Sequence, residues 1–348
     1  MSSASLNEIR IVIDAMGGDY APRNVIHGTL SALRETKNRF HVILVGKEKE
    51  IQQELQLVKG QNENLSIVHA EEILDMHDAP TSVLKSKRNS SISVGVVLQK
   101  EGKADAFVSA GNTGAVMSAG TLILGRIPGV SRPTIGAFFP TESGVSLLLD
   151  AGANVDSRPQ HLYEFAIMGS IYANAMFGIQ NPKVGLLNVG EEKTKGNEVA
   201  LETHNLLSHS QLNFIGNVEG RDVLKGTADL VVCDGFVGNI ILKFAESVPS
   251  FLKSKFKQYA ETGTLKKLLI GSLRGTLRKV FKSLDYEEYG GVPLLGVNGV
   301  IIIGHGGSSA KAIKNMILKA EETVQKKINE RITKAISEMN VETKIVPA

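Results

Sequence analysis

Short apolar runs rich in Val, Ile and Leu recur along the chain at residues 10–15, 40–46, 65–70, 104–110, 134–140, 145–151, 183–190, 212–216, 230–234 and 300–304. They lack the clean alternation of a strand with one wet face, so each reads as a strand buried on both sides. Between many of them lie segments of helical character, at residues 24–34, 91–101, 114–126, 159–177, 198–208, 239–258 and 308–339. The last keeps an apolar row through Ile313, Met316, Ile317, Ala320, Val324 and Ile328, which predicts one long terminal helix packed on the sheet or on a second subunit. Strands alternating with helices predict a three-layer α/β architecture, with a largely parallel sheet covered by helices.

Composition narrows this picture. A chain of 348 residues with 42% hydrophobic and 22% charged residues can bury a substantial core as one large unit or two lobes. No linker or low-complexity tract divides it, so residues 1–348 are expected to form one α/β unit, and a second, smaller lobe would be an insertion. A formal net charge of +3 does not argue for a nucleic-acid partner. The single cysteine, Cys233, excludes an intramolecular disulfide and suits a reducing cytoplasm. The opening MSSASLNEIR lacks the apolar core of a signal peptide, and no apolar stretch nears the roughly 20 residues that span a bilayer. A cytoplasmic protein is expected.

The 35 glycines fall in short clusters, mostly straight after the apolar runs. The strand ends read Asp14-Ala-Met-Gly-Gly-Asp19, Ser109-Ala-Gly-Asn-Thr-Gly-Ala115, Asp150-Ala-Gly-Ala-Asn154, Asn188-Val-Gly-Glu-Glu-Lys193, Asp234-Gly-Phe-Val-Gly-Asn239 and Gly304-His-Gly-Gly-Ser-Ser309. Ligands of open α/β sheets bind beyond the carboxyl ends of strands, and three of these loops run directly into helices. Helix starts offer free N–H groups and a positive dipole end, so several such loops on one sheet edge predict an oxyanion site. The phosphate loop of common kinases is absent, the first strand leads into Met16-Gly-Gly-Asp19 rather than G-x-G-x-x-G, and neither H-E-x-x-H nor G-x-S-x-G occurs.

Taken in order, these loops resemble the bacterial phosphate acyltransferase family of phospholipid synthesis. The likeness also includes Asp150 to Asp156 (DAGANVD), Phe165 to Ser170 (FAIMGS), Leu186 to Glu192 (LLNVGEE), Cys233 to Asn239 (CDGFVGN) and Leu294-Leu-Gly296. It implies a fold similar to isocitrate and isopropylmalate dehydrogenases with a smaller inserted region, as a homodimer. It also implies transfer of an acyl group from acyl carrier protein to orthophosphate, with the acyl phosphate feeding glycerol-3-phosphate acylation. No nicotinamide cofactor carries over, because function belongs to the site rather than the fold, and no other cofactor is expected.

Phosphate attack on a thioester needs an anion pocket, donors for the developing oxyanion and a stabilised thiolate. The catalytic candidates are His305, Asn112 and Lys195. Gly111, Asn112, Thr113, Gly114 and Ser308 are the phosphate-binding candidates, with His305 open between anion ligand and turn residue. Asp14, Gly17, Gly18, Asp19, Asn154, Asn188, Asp234, Gly235 and Asn239 are expected to bind substrate or organise loops. The aspartates, Asp150 among them, show no ligand cluster, so no metal is expected. Lys85, Lys87 and Arg88 are candidates for docking the acidic carrier protein or for a solvated surface, and Lys193 and Lys195 present the same choice. Cys233, ending an apolar run, reads as buried and inert. Residues 264–284 combine an apolar stripe (Leu265, Leu268, Leu269, Leu273, Leu277, Val280, Phe281, Leu284) with six basic residues, which predicts peripheral binding to an anionic membrane surface.

Overall fold

A computed structural model describes residues 8–283 and 290–345. Residues 1–7 of the opening segment, and Leu284 of the basic stripe, lie outside the described residues. The strands are β1 (Arg10–Asp14), β2 (His41–Gly46), β3 (Leu65–His69), β4 (Ala106–Ser109), β5 (Thr134–Thr141), β6 (Gly144–Leu149), β7 (Val184–Leu187), β8 (Phe214–Val218), β9 (Leu230–Val232), β10 (Val292–Leu295) and β11 (Val300–Ile303). The helices are α1 (Arg23–Glu35), α2 (Glu48–Leu57), α3 (Ser91–Lys100), α4 (Thr113–Ala119), α5 (Pro159–Phe177), α6 (Glu198–Ser208), α7 (Gly220–Val223), α8 (Gly235–Glu261), α9 (Thr264–Ser283), α10 (Ala310–Gln325) and α11 (Ile328–Ile345).

All the strands join one sheet in the order β3-β2-β1-β4-β11-β10-β5-β6-β9-β7-β8. Continuous apolar runs form its centre because both faces are covered. In β1, Val12 packs with Ile92 and Val96 of α3, whereas Ile11 and Ile13 pack with Ile26 of α1 and Ile317 of α10. In the other half, Leu147 and Leu149 of β6 pack with Phe165 of α5 and Ile332 of α11, and Leu148 turns to the opposite face. Alternate side chains on a strand point to opposite faces, so a strand covered twice is apolar at every position.

Strand direction decides where the loops go. β3, β2, β1, β4 and β11 are mutually parallel. β6, β9, β7 and β8 form a second parallel block. Between the blocks, three antiparallel pairings, β11 with β10, β10 with β5 and β5 with β6, reverse the direction. The register pairs Leu294 with Ile301 and with Ile135, and Gly136 with Leu149. The end of β6 therefore lies on the edge where β11 begins. The six glycine-rich loops do not share one sheet edge: those after β1, β4 and β11 lie on one edge, and those after β6, β7 and β9 on the other.

Besides α2 and α7, which no expected helical segment covers, three elements differ from expectation. The predicted terminal helix is two helices, broken beside Lys327, whose φ of 54° is left-handed. The break lets α10 pack on the first strand block and sends Ile328, Ile332 and Ile336 of α11 into the core of the second. The predicted helix over 114–126 is α4 followed by a wider turn over Gly120–Leu124. β10 is a strand of four residues containing Pro293, too short and too interrupted to stand out as an apolar run.

Candidate functional site

The first edge is tied together from within. Asp14, fully buried at the end of β1, accepts from the Met16 N–H at 3.1 Å and the Ser109 hydroxyl at 2.7 Å. Burial pushes its carboxyl pKa up, against the hydrogen bonds from Ser91 and Ser109 that favour the anion. The Gly111 N–H donates to Ser109 Oγ, and the Asp19 N–H donates to the Gly306 carbonyl at 2.8 Å. Gly17 packs directly against the Asp14 carboxyl, whereas the Asp19 side chain is exposed.

Asn112 is a structural hub here. Its side-chain oxygen caps α4 by accepting from the Ala115 N–H, and its amide nitrogen donates to the carbonyls of Asp75, Met76 and Asp78. Both amide hydrogens are taken up inside the fold, so the side chain serves the loop structure here, with one lone pair of its oxygen left over. α4 has only seven residues, Thr113 begins it, and Gly114 abuts Pro80. His305 is exposed and its Nδ1 accepts from the Gly307 N–H, while the buried Ser308 hydroxyl donates to the His305 carbonyl at 2.6 Å. Lys87 is also used internally, donating to Asp78 at 2.5 Å and to the Ile73 carbonyl at 2.8 Å, so it is no free docking cation. Arg88 donates through Nε to the Leu84 carbonyl, and Lys85 is exposed on the same edge.

The second edge is built around Asp150, which directly follows β6. Its Oδ1 accepts from the N–H groups of Gly152 and Ala153, and its Oδ2 from the N–H and amide of Asn154 at 2.8 and 2.7 Å. Burial raises its pKa while these donors favour the charged form. α8 starts directly on this loop. A Cβ at Gly238 would lie 1.8 Å from the Asp150 carbonyl oxygen, and one at Gly235 would lie 2.6 Å from that of Asn154. Only glycine permits that approach. Asp234 caps α8 by accepting from the Val237 N–H, Gly235 donates to the Asn154 carbonyl, and Asn239 packs against Gly152. Asn188 folds the loop after β7 by donating to the Lys195 carbonyl at 2.9 Å, which leaves the Lys195 side chain exposed.

An open pocket of about 800 Å³ lies among these second-edge loops. Leu162, Leu186, Val199, Val237 and Ile241 supply apolar wall, and Ser157, Asn188, Asn197 and Asp234 supply polar atoms. The Ser157 hydroxyl is buried without a hydrogen-bond partner. Cys233 reaches the wall with a buried thiol whose pKa burial pushes well above its ordinary value. Lys195 adjoins this pocket through Gly196 and Asn197, whereas His305 and Asn112 stand on the other edge. Within one chain the three catalytic candidates are not brought together. Sequence reasoning passed over Ser157, which lines this pocket straight after the polar Asp150–Asp156 stretch. Among the described residues, no group of three or more His, Cys, Asp or Glu side chains is placed to hold a metal ion.

Comparisons with known proteins bear on this arrangement. A family model described as "Fatty acid synthesis protein" matches residues 9–331. Proteins named phosphate acyltransferase from Chlorobaculum parvum and Desulforamulus reducens are 48% and 51% identical to the chain over 338 and 321 residues. These matches cover 94% and 91% of the chain, and 99% and 94% of the relatives. Among solved structures, a phosphotransacetylase from Streptococcus pyogenes matches with a TM-score of 0.63 at 19% identity, covering 91% of this chain and 94% of that one. A branched-chain phosphotransacylase from Enterococcus faecalis matches with a TM-score of 0.55 at 16% identity, covering 91% and 99%. At these identities the structural likeness shows a shared mixed α/β fold.

Proposed function

Because the chain belongs to the phosphate acyltransferase family, we propose that it moves a fatty acyl group from acyl carrier protein to orthophosphate, giving acyl phosphate for phospholipid synthesis. That the chain is an acyltransferase follows from its relatives; the donor and acceptor are the proposal. The observation that carries it is the second-edge pocket, whose apolar wall suits a hydrocarbon chain and whose polar strand-end loops suit the reacting carbonyl and an anion.

In the proposed step, a phosphate oxygen attacks the thioester carbonyl carbon and forms the new C–O bond. The tetrahedral intermediate collapses, the C–S bond breaks, and the carrier leaves as a thiolate that takes up, through water, the proton given up by the attacking hydrogenphosphate. Phosphate is already partly dianionic near neutral pH and a thiolate leaves readily, so the enzyme's work is positioning and charge stabilisation rather than strong base catalysis. Lys195 and Lys193, exposed in the loop after β7, supply positive charge beside the pocket for the phosphate and for the acidic carrier.

The α8–α9 hairpin is the proposed membrane contact. α9 carries no acidic residue, and Leu265, Leu268, Leu269, Leu273 and Val280 are exposed beside Lys266, Lys267, Arg274 and Lys279. Peripheral binding to anionic lipid would place the enzyme where its product is used. A homodimer belongs to the same proposal. Among the described residues, no helix is long and apolar enough to cross a membrane.

The reaction is tested by mixing the protein with long-chain acyl carrier protein and orthophosphate, trapping acyl phosphate with hydroxylamine and titrating the released carrier thiol. Hydroxamate and thiol are expected to appear in equal amounts and only with phosphate. Absence of phosphate-dependent hydroxamate overturns the proposal.

A further inference from the structure

The loop after β7 that carries Lys193 and Lys195 is anchored to the sheet by side chains outside the pocket wall. Asn217 of β8 donates through Nδ2 to the Glu192 carbonyl at 2.9 Å, and the Lys195 N–H donates to the same oxygen at 3.1 Å. Asn188 holds the other side of Lys195 by donating to its carbonyl at 2.9 Å. Residues 192–195 therefore form a closed turn, tied to β8 through Asn217. Gly190 lets the turn close, since a Cβ there would lie 2.8 Å from Glu192 Oε2 and 3.1 Å from Lys195 Cγ. Asn188, Gly196 and Asn197 of this loop line the pocket, so the turn sets where the Lys195 side chain leaves the backbone beside it. The exposed ion pair between Arg221 and Glu191 at 3.3 Å adds little, because solvent screens it.

Behind Asn217 stands His204 of α6. Its Nδ1 is 3.0 Å from Asn217 Oδ1, and its ring packs edge-on against Phe214 with centroids 5.1 Å apart. Both His204 and Asn217 are buried. The role of each atom follows from the far end of this chain of contacts. A backbone carbonyl only accepts, so the amide nitrogen of Asn217 must face Glu192 and its oxygen must face His204. His204 Nδ1 must then carry a proton and donate. Its Nε2 is buried and, among the described residues, has no hydrogen-bond partner. Burying an unpartnered nitrogen costs free energy that a leucine of similar size would not. What the imidazole supplies and a leucine does not is the Nδ1–H donor that fixes the Asn217 amide plane.

We propose that His204 and Asn217 are positioning residues for acyl transfer, acting through the Glu192–Lys195 turn to hold Lys195 beside the pocket. The inference rests on the acyl-transfer reading and on the phosphate role of Lys195 within it, and it adds to that reading two residues that lie outside the pocket. With the His204 donor lost, the Asn217 amide is free to rotate away from Glu192, and the Lys195 charge is spread over a wider volume. The consequence is weaker orthophosphate binding with little change in kcat. Loss of a single oriented hydrogen bond corresponds to about three- to tenfold in KM.

His204→Leu, His204→Asn and Asn217→Ser are compared with wild type by hydroxamate formation over a phosphate series. His204→Leu fills the site without a donor, whereas His204→Asn fills it poorly but places an amide N–H near the position of Nδ1. A packing role alone would make His204→Asn the worse variant. The positioning role makes His204→Leu the worse one, with orthophosphate KM raised about three- to tenfold, kcat within about twofold of wild type and partial recovery in His204→Asn. Asn217→Ser breaks the link at its other member and is expected to match His204→Leu, which keeps the test open should His204→Leu fail to fold. In a Lys195→Ala background neither change should raise KM further. An unchanged KM in the folded variants, a larger defect in His204→Asn, or an undiminished effect without Lys195 overturns the proposal. Should wild type show no phosphate-dependent transfer, the functional reading falls, and trypsin cleavage after Lys193 and Lys195 then judges the positioning alone. Cleavage there several times faster in His204→Leu and Asn217→Ser than in wild type supports it, and equal rates overturn it.

Discussion

Cys233 follows β9 at the pocket wall, with its thiol 3.6 Å from the Asp150 carbonyl oxygen and its pKa raised well above the ordinary value by burial. A thiol kept protonated is not a nucleophile. Cys233→Ala is expected to retain kcat within about threefold and to cost roughly 1 kcal/mol of stability; a collapse of kcat in a folded variant would show that the residue acts in the chemistry. Asp14 makes a different prediction. Because burial raises its pKa, the folded state keeps the proton to higher pH than the unfolded chain. The stability that this supplies is complete below about pH 4 and is lost as pH rises through the raised value. Asp14→Asn should therefore show a flatter dependence of stability on pH than wild type, with Asp150 still contributing in the same sense. Urea melts across the acid range measure this, and parallel profiles would refute it. Asp14 was legible as a loop organiser because a carboxylate beside glycines at a strand end has donors close by. The use of the Asn112 amide nitrogen was not, because its partners Asp75, Met76 and Asp78 lie more than 30 residues away in the chain.

At the scale of elements, strands and helices followed from local pattern wherever a run was long. α5 and α6 match the expected bounds, since continuous helical character and a clear start at Pro159 or after Asn197 leave little choice. The division of α10 from α11 was hidden because the apolar row continues through Val324 and Ile328 and the left-handed residue between them is a lysine rather than a glycine. The basic stripe of α9 was legible as amphipathic, yet its partner was not. Phe281 packs edge-on against Phe256 of α8, whereas Leu268 and Leu269 stay exposed. If that face meets lipid, wild type sediments with anionic vesicles and not with neutral ones. Joint Leu268→Asp and Leu269→Asp substitution should cut the bound fraction by about tenfold without changing turnover of soluble donors. Equal sedimentation by wild type and variant would remove α9 from the membrane contact.

For the whole molecule, the decisive feature is the reversal of the sheet between β11 and β6. It places His305 and Lys195 on opposite edges, with only Lys195 beside the pocket. His305→Ala is expected to leave the orthophosphate KM within about twofold, whereas Lys195→Ala raises it roughly tenfold, the effect of losing one favourable charge near a phosphate. Initial rates over a phosphate series distinguish the two, and a large effect at His305 alone would return the site to the first edge.

The sequence by itself determined that the chain is an α/β protein, that its central strands are buried on both faces, and which loops carry glycine and small polar residues; the edge strands β3 and β8, read the same way, stay partly exposed. Their order along the chain pointed to the acyltransferase family. These properties are local or serial, set by side-chain pattern and by backbone needs at each turn. Only the tertiary structure decided how the loops are shared between edges. That outcome depends on three antiparallel pairings, two of them made by β10, and strand direction is a relation between distant segments that no local periodicity records. The same holds for Ser131 and Glu164, separated by 33 positions and joined by two hydrogen bonds.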